Sequence, residues 1–211
     1  MNRVAIVDYG LCNLDSVRRA VEECGGTATV TSDPADLRVA DRIILPGVGS
    51  FAAAAANLQR SGLADELTEQ VMSLQAPFLG ICLGMQLMLT VGVEGSTDGA
   101  GETKGLGWID GRVERLAPTP DDPRIPHVGW NEVHRTEVDA PLLDSIDDGA
   151  DVYFVHSFHA RCSDDRQVIA TTPYAGGFVS AVANGNAFGV QFHPEKSQTV
   201  GFAILRRFLE I

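Results

Sequence analysis

A thiol hydrolase is built from cysteine, histidine and a carboxylate, and this chain carries each in a setting that suits the task. Residues 77–86 read PFLGICLGMQ: an apolar run, Cys82 between Gly80 and Gly84, then residues able to open a helix. That is the pattern of a sharp strand-to-helix turn presenting a nucleophile, with glycines removing Cβ crowding on either side, as in the serine version of this elbow. A thiol held over the first amides of a helix is favoured as thiolate. Residues 187–197 read AFGVQFHPEKS, so a strand-like run delivers His193 at its end and Glu195 follows two residues later. A cysteine nucleophile needs a base to take its proton and a third group to hold that base in one tautomer. Cys82, His193 and Glu195 supply the three parts.

A third segment, LPGVGSF at 45–51, follows the apolar run Arg42 to Leu45. Two glycines spaced by one residue let backbone N–H groups turn toward a developing oxyanion. The same loop also reads as an ordinary strand-to-helix connection with Ser50 as N-cap. The two uses are compatible.

The elements that must position these loops are legible as alternating runs. Val4 to Val7, Ala28 to Val30, Arg42 to Leu45 and Pro77 to Ile81 read as strands. Leu14, Val17, Val21 and Cys24 recur at helical spacing before a stop at Gly25 and Gly26. Alternation of this kind predicts an α/β fold with a central, mostly parallel sheet flanked by helices, its functional loops at the C-terminal strand ends. After about residue 105 shorter strands and turns predict a smaller antiparallel sheet. Asn184-Gly185 marks a hairpin there, Ala117 to Pro126 a loop, and Ser197 to Leu209 a closing helix. There is no internal repeat.

Composition sets limits. With 211 residues, 45% of them hydrophobic, the chain can bury a full core, most simply as a single domain over 1–211. No apolar run is long enough to cross a bilayer, and a strand-like start replaces a signal peptide, which together predict a cytoplasmic protein with no membrane partner. The net charge of −12 argues against nucleic acid, whose recognition begins with a basic surface. Asp139, Asp144, Asp147, Asp148 and Asp151 read as a solvated loop face. Four cysteines without regular spacing do not make a disulfide framework. His156, His159 and Cys162 are disfavoured as a metal trio, because a spacing of three places successive residues on opposite strand faces. No metal or cofactor is expected.

Taken together, the PGVGSF, GICLGMQ and QFHPEKS segments closely resemble the class I glutamine amidotransferases, whose triad is Cys, His and Glu. Asp8-Tyr9-Gly10, Gly105 to Ile109, Ile125 to Asn131 and Tyr153 to His159 narrow the resemblance to the glutaminase subunits of imidazole glycerol phosphate synthases, and it runs over essentially the whole chain. The resemblance implies the flavodoxin-like fold of that class, with Cys82 as nucleophile, His193 as base and then acid, and Glu195 as its orienting partner. It further implies oxyanion donors at the Leu83 amide and the Val48/Gly49 turn, a turn that in this family can be flipped away until partner and substrate are in place. Gly49, Gln86, Glu94 and Ser157 match positions that hold L-glutamine. Asn13, Trp130, Asn131 and Lys196 match positions facing a (β/α)₈ cyclase subunit, which uses the ammonia to make imidazole glycerol phosphate and an aminoimidazole carboxamide ribotide.

The chain departs from that pattern at Cys12, where glycine is usual, and at Phe158, where tyrosine is common. The first is expected at an edge facing the partner, and the second removes a hydroxyl near the glutamine site. Two other functions stay open: a glutaminase serving a different synthase, such as a sugar amidotransferase, and a non-catalytic binding subunit. The intact Cys82, His193 and Glu195 set counts against the latter.

Overall fold

Short buried runs become the strands at the middle of the molecule. A computed structural model describes residues 2–95 and 101–211. Its first half runs β1 (Arg3–Val7), α1 (Leu14–Glu23), β2 (Thr27–Thr31), α2 (Pro34–Leu37), β3 (Arg42–Leu45), α3 (Phe51–Arg60), α4 (Leu63–Thr68), β4 (Phe78–Ile81) and α5 (Leu83–Leu87). The second half runs β5 (Leu89–Gly92), β6 (Thr103–Lys104), β7 (Ile109–Arg115), β8 (His127–Arg135), β9 (Ala150–His156), β10 (Phe158–Cys162), β11 (Val168–Thr172), β12 (Phe178–Asn184), β13 (Ala187–Val190) and α6 (Gln198–Glu210). β3 and β4 lack polar alternation because they are covered on both faces, as parallel strands between helices must be. β2, rich in threonine and mostly exposed, forms the edge.

Among the described residues the sheet order is β2-β1-β3-β4-β13-β12-β10-β7-β5-β6, with β11, β8 and β9 branching from β12. β2, β1, β3, β4 and β13 are parallel neighbours. The antiparallel strands of the second half are continuous with them, joined through the β12–β13 hairpin. That hairpin turns at Gly185-Asn186, one residue beyond the expected centre. Asn184 is the last paired residue, and its side chain donates to the Trp108 carbonyl at 2.7 Å.

Two cores fill the two faces. Val17, Val21, Ile204, Phe208 and Phe192 pack on one, with α1 and α6, while Phe51, Leu58, Leu67, Phe78 and Met85 pack on the other, under α3 to α5. No helix among the described residues is long and apolar enough to cross a membrane.

Gly84 shows how tightly the elbow is set into this frame. A Cβ at Gly84 would lie 1.7 Å from the Leu45 carbonyl oxygen, so α5 packs against the end of β3 only because no side chain intervenes. Gly84→Ala is therefore expected to destabilise the protein by at least about 3 kcal/mol, read as a lowered urea midpoint.

Candidate active site

Sheet register explains how residues far apart in sequence meet. β4 and β13 run parallel with Ile81 opposite Val190, and the Cys82 amide donates to the Val190 carbonyl at 2.8 Å. The residues that leave the two strand ends, Cys82 and Gln191, thus emerge side by side, with His193 two positions farther on. Cys82 has φ 54°, in the left-handed region that non-glycine residues rarely adopt, which is the strain expected of a nucleophile elbow. Leu83, the first residue of α5, carries an amide that the helix itself cannot satisfy.

The histidine is held from behind. Its amide donates to the Tyr153 carbonyl at 2.9 Å, and its own carbonyl accepts from the Ser197 hydroxyl at 2.7 Å. A single 3₁₀ turn over Pro194–Lys196 swings Glu195 back, so that Oε1 lies 2.8 Å from His193 Nδ1 with both side chains buried. Nδ1–H donates to the carboxylate, which leaves Nε2 buried and without a partner of its own. Burial opposes charge on this ring, but the Cys82 sulfur and the Glu195 carboxylate outweigh it and raise its pKa to about 10.

A cavity of about 310 Å³ opens at this point. Cys82, His193, Val48, Gly49, Leu83, Gln86, Glu94 and Ser157 all line it, as do Phe158 and Lys196, while Glu195 sits behind His193. Asn13, Trp130 and Asn131 do not. Trp130 is exposed on β8 and meets Tyr153 edge to face at 6.0 Å, and the Lys196 ammonium lies 5.9 Å from the Tyr153 ring centre. Asn131 bonds His127, and Asn13 is exposed at the N-cap of α1.

Several details go beyond what the sequence could give. The Val48 amide does not face the cavity: it donates to the Leu11 carbonyl at 2.8 Å, so the 46–49 turn rests with this donor engaged elsewhere. Cys12 is half-buried. Its sulfur lies 3.5 Å from the Pro46 carbonyl and 3.6 Å from that of Val7, tucked under the same turn, and burial pushes its thiol up to about 11. Ser50 occupies the N-cap of α3 without a side-chain bond. Glu94 takes that part, accepting from the Phe51 amide at 3.2 Å, and burial, partly offset by that bond, raises its pKa.

Gln191 escaped the sequence reading. Fully buried, it donates from Nε2 to Cys82 Sγ at 3.6 Å, and its Oε1 accepts from Gln86 Nε2 at 3.0 Å. The available signal was a polar residue inside the apolar run that ends at His193.

His127 and His156 form a second buried polar feature, with His127 Nδ1 3.1 Å from His156 Nε2 and the His127 ring stacked between Phe154 and Tyr174. Burial lowers their pKa values to about 4 and about 3. Because the folded values lie below the unfolded one, their contribution is fully present above about pH 6.5 and is lost as pH falls toward 4. At pH 5 unfolding is expected to take up about two protons on these rings, seen as a melting temperature that drops steadily from pH 7 to pH 4. Among the described residues no group of three or more His, Cys, Asp or Glu side chains is placed to hold a metal ion, and burial pushes Cys162 up to about 12.

The class-I glutamine amidotransferase family model matches residues 5–211. This chain belongs to the class I glutamine amidotransferases. Curated relatives include "Imidazole glycerol phosphate synthase subunit HisH" of Caulobacter vibrioides, 43% identical over 216 residues and covering 100% of this chain and 99% of that one. The protein of the same name from Agrobacterium fabrum is 44% identical over 217 residues, with 98% of each covered. A solved structure described as a glutamine amidotransferase superposes with TM-score 0.74 at 20% identity, over 98% of this chain and 97% of the other, which shows the shared fold.

Proposed function

We propose that this class I amidotransferase is the glutaminase subunit of an imidazole glycerol phosphate synthase and that residues 1–211 act as one domain. Cys82 attacks the side-chain amide carbon of L-glutamine. The resulting oxyanion is held by the Leu83 amide and, after the 46–49 turn reorients, by an amide of Val48 or Gly49. His193, oriented by Glu195, first takes the thiol proton and then gives a proton to the departing nitrogen. Ammonia leaves, and water activated by the same ring hydrolyses the glutamyl thioester to glutamate.

Gln86, Glu94 and Ser157 hold the substrate, with the Glu94 carboxylate suited to its α-amino group. Ammonia released into neutral water would become ammonium, which is not a nucleophile, so the product needs a closed route to an acceptor site. A (β/α)₈ cyclase subunit supplies that site in this proposal, docking over Asn13, Trp130, Asn131 and Lys196 in the cytoplasm.

The observation that carries the glutaminase assignment is the buried His193–Glu195 pair at 2.8 Å beside an elbow-held Cys82. Co-expression with a histidine-pathway cyclase tests it. A stable complex forming imidazole glycerol phosphate from glutamine is expected; absence of a complex would sink the assignment of partner, and a complex that uses ammonia but never glutamine would sink the glutaminase itself.

A further inference from the structure

The carbonyl of Phe158 accepts two bonds, from His156 Nδ1 at 2.9 Å and from Gln86 Nε2 at 2.9 Å. A backbone carbonyl can only accept, so it dictates which way each neighbour points. His156 must carry its proton on Nδ1, leaving Nε2 to accept from His127 Nδ1–H, which in turn leaves His127 Nε2 to accept from the Asn131 amide at 3.3 Å. On the other side Gln86 must present its NH₂ to Phe158, so its second hydrogen goes to Gln191 Oε1. Gln191 is thereby left with one orientation, NH₂ toward Cys82 Sγ at 3.6 Å.

From this geometry we infer that Gln191 is a positioning residue for the nucleophile: its amide donates to the Cys82 sulfur, fixing the rotamer and stabilising the thiolate, and Gln86 and the Phe158 carbonyl hold that amide in place. The inference rests on Cys82 being the nucleophile. It also assigns Gln86 a structural duty, since both of its N–H donors are engaged within the protein and only its Oε1 is left for substrate. Among the described residues, the titratable groups around the sulfur include His193, with Glu195 behind it, Glu94 and His156 across the cavity, and Tyr9, whose own pKa is raised by burial and by Cys12 and Cys82. Gln191→Leu removes none of these groups.

Carboxamidomethylation of the full chain by iodoacetamide across pH 6 to 10, with each cysteine followed by peptide mass spectrometry, tests this without reference to turnover. Gln191→Leu is expected to slow modification of Cys82 about tenfold at pH 7 and to move its midpoint up by about one pH unit. Gln191→Glu keeps the shape and the acceptor for Gln86 but cannot donate when ionised, so it is expected to slow Cys82 at least as much, whereas a space-filling role predicts the wild-type profile. Half-buried Cys12 and Cys162 report on the fold, because loosening would speed both. In the cyclase complex kcat should fall about tenfold with KM for glutamine within about twofold. A wild-type alkylation profile in either variant, or a raised KM at unchanged kcat, would overturn the inference. Failure of the glutaminase assignment would show separately, as a wild-type complex that does not turn over glutamine while the alkylation difference persists.

Discussion

Cys82→Ala is expected to lower glutamine-dependent synthesis by the complex by about 10⁴-fold or more while leaving ammonia-dependent synthesis within about twofold of wild type. The size follows from the chemistry: without the sulfur there is no thioester, and no neighbouring group can take its place. Cys82 is N-cap to the short helix α5 and its amide completes the β4–β13 pairing, yet both duties fall to the backbone and survive replacement by alanine. Parallel assays with glutamine and with ammonium salts at alkaline pH give the answer. Equal loss of both activities would mean that Cys82 serves the fold instead.

Glutamate release by the isolated chain is expected to be on the order of 10²-fold slower than in the complex with cyclase and its ribotide ligand. The Val48 amide is bonded to the Leu11 carbonyl at 2.8 Å, with Cys12 and Tyr9 packed beneath the turn, so the oxyanion donor proposed there is withheld. A missing donor costs about 3 kcal/mol of transition-state stabilisation. In the proposed complex the partner and its ligand would favour a reoriented turn, and Gly49, at φ +104°, lies in a backbone region where glycine meets no Cβ penalty. Single-turnover measurements on the chain alone, with cyclase, and with cyclase plus ribotide separate the contributions. Full activity in the isolated chain would show that the donor on Val48 is not needed.

The short apolar runs before 46–49 and 82 announced the parallel strands β3 and β4, because a strand covered by helices on both faces has no polar side to display. The glycine brackets marked the elbow, since a Cβ at Gly84 would lie 1.7 Å from the Leu45 carbonyl oxygen. The residues of Cys82, His193 and Glu195, and the family to which the chain belongs, were legible for the same reason: the chemistry demands those types in short local patterns. Tertiary structure decided what depends on long-range pairing. Insertion of β13 beside β4 at one register puts Gln191 against Cys82, and no local pattern records which strand becomes the neighbour. The resting turn at Val48, the inward thiol of Cys12 and the helix-capping duty of Glu94 likewise depend on partners distant in sequence. Each is a hydrogen-bond choice made by whichever donor or acceptor burial brings within reach.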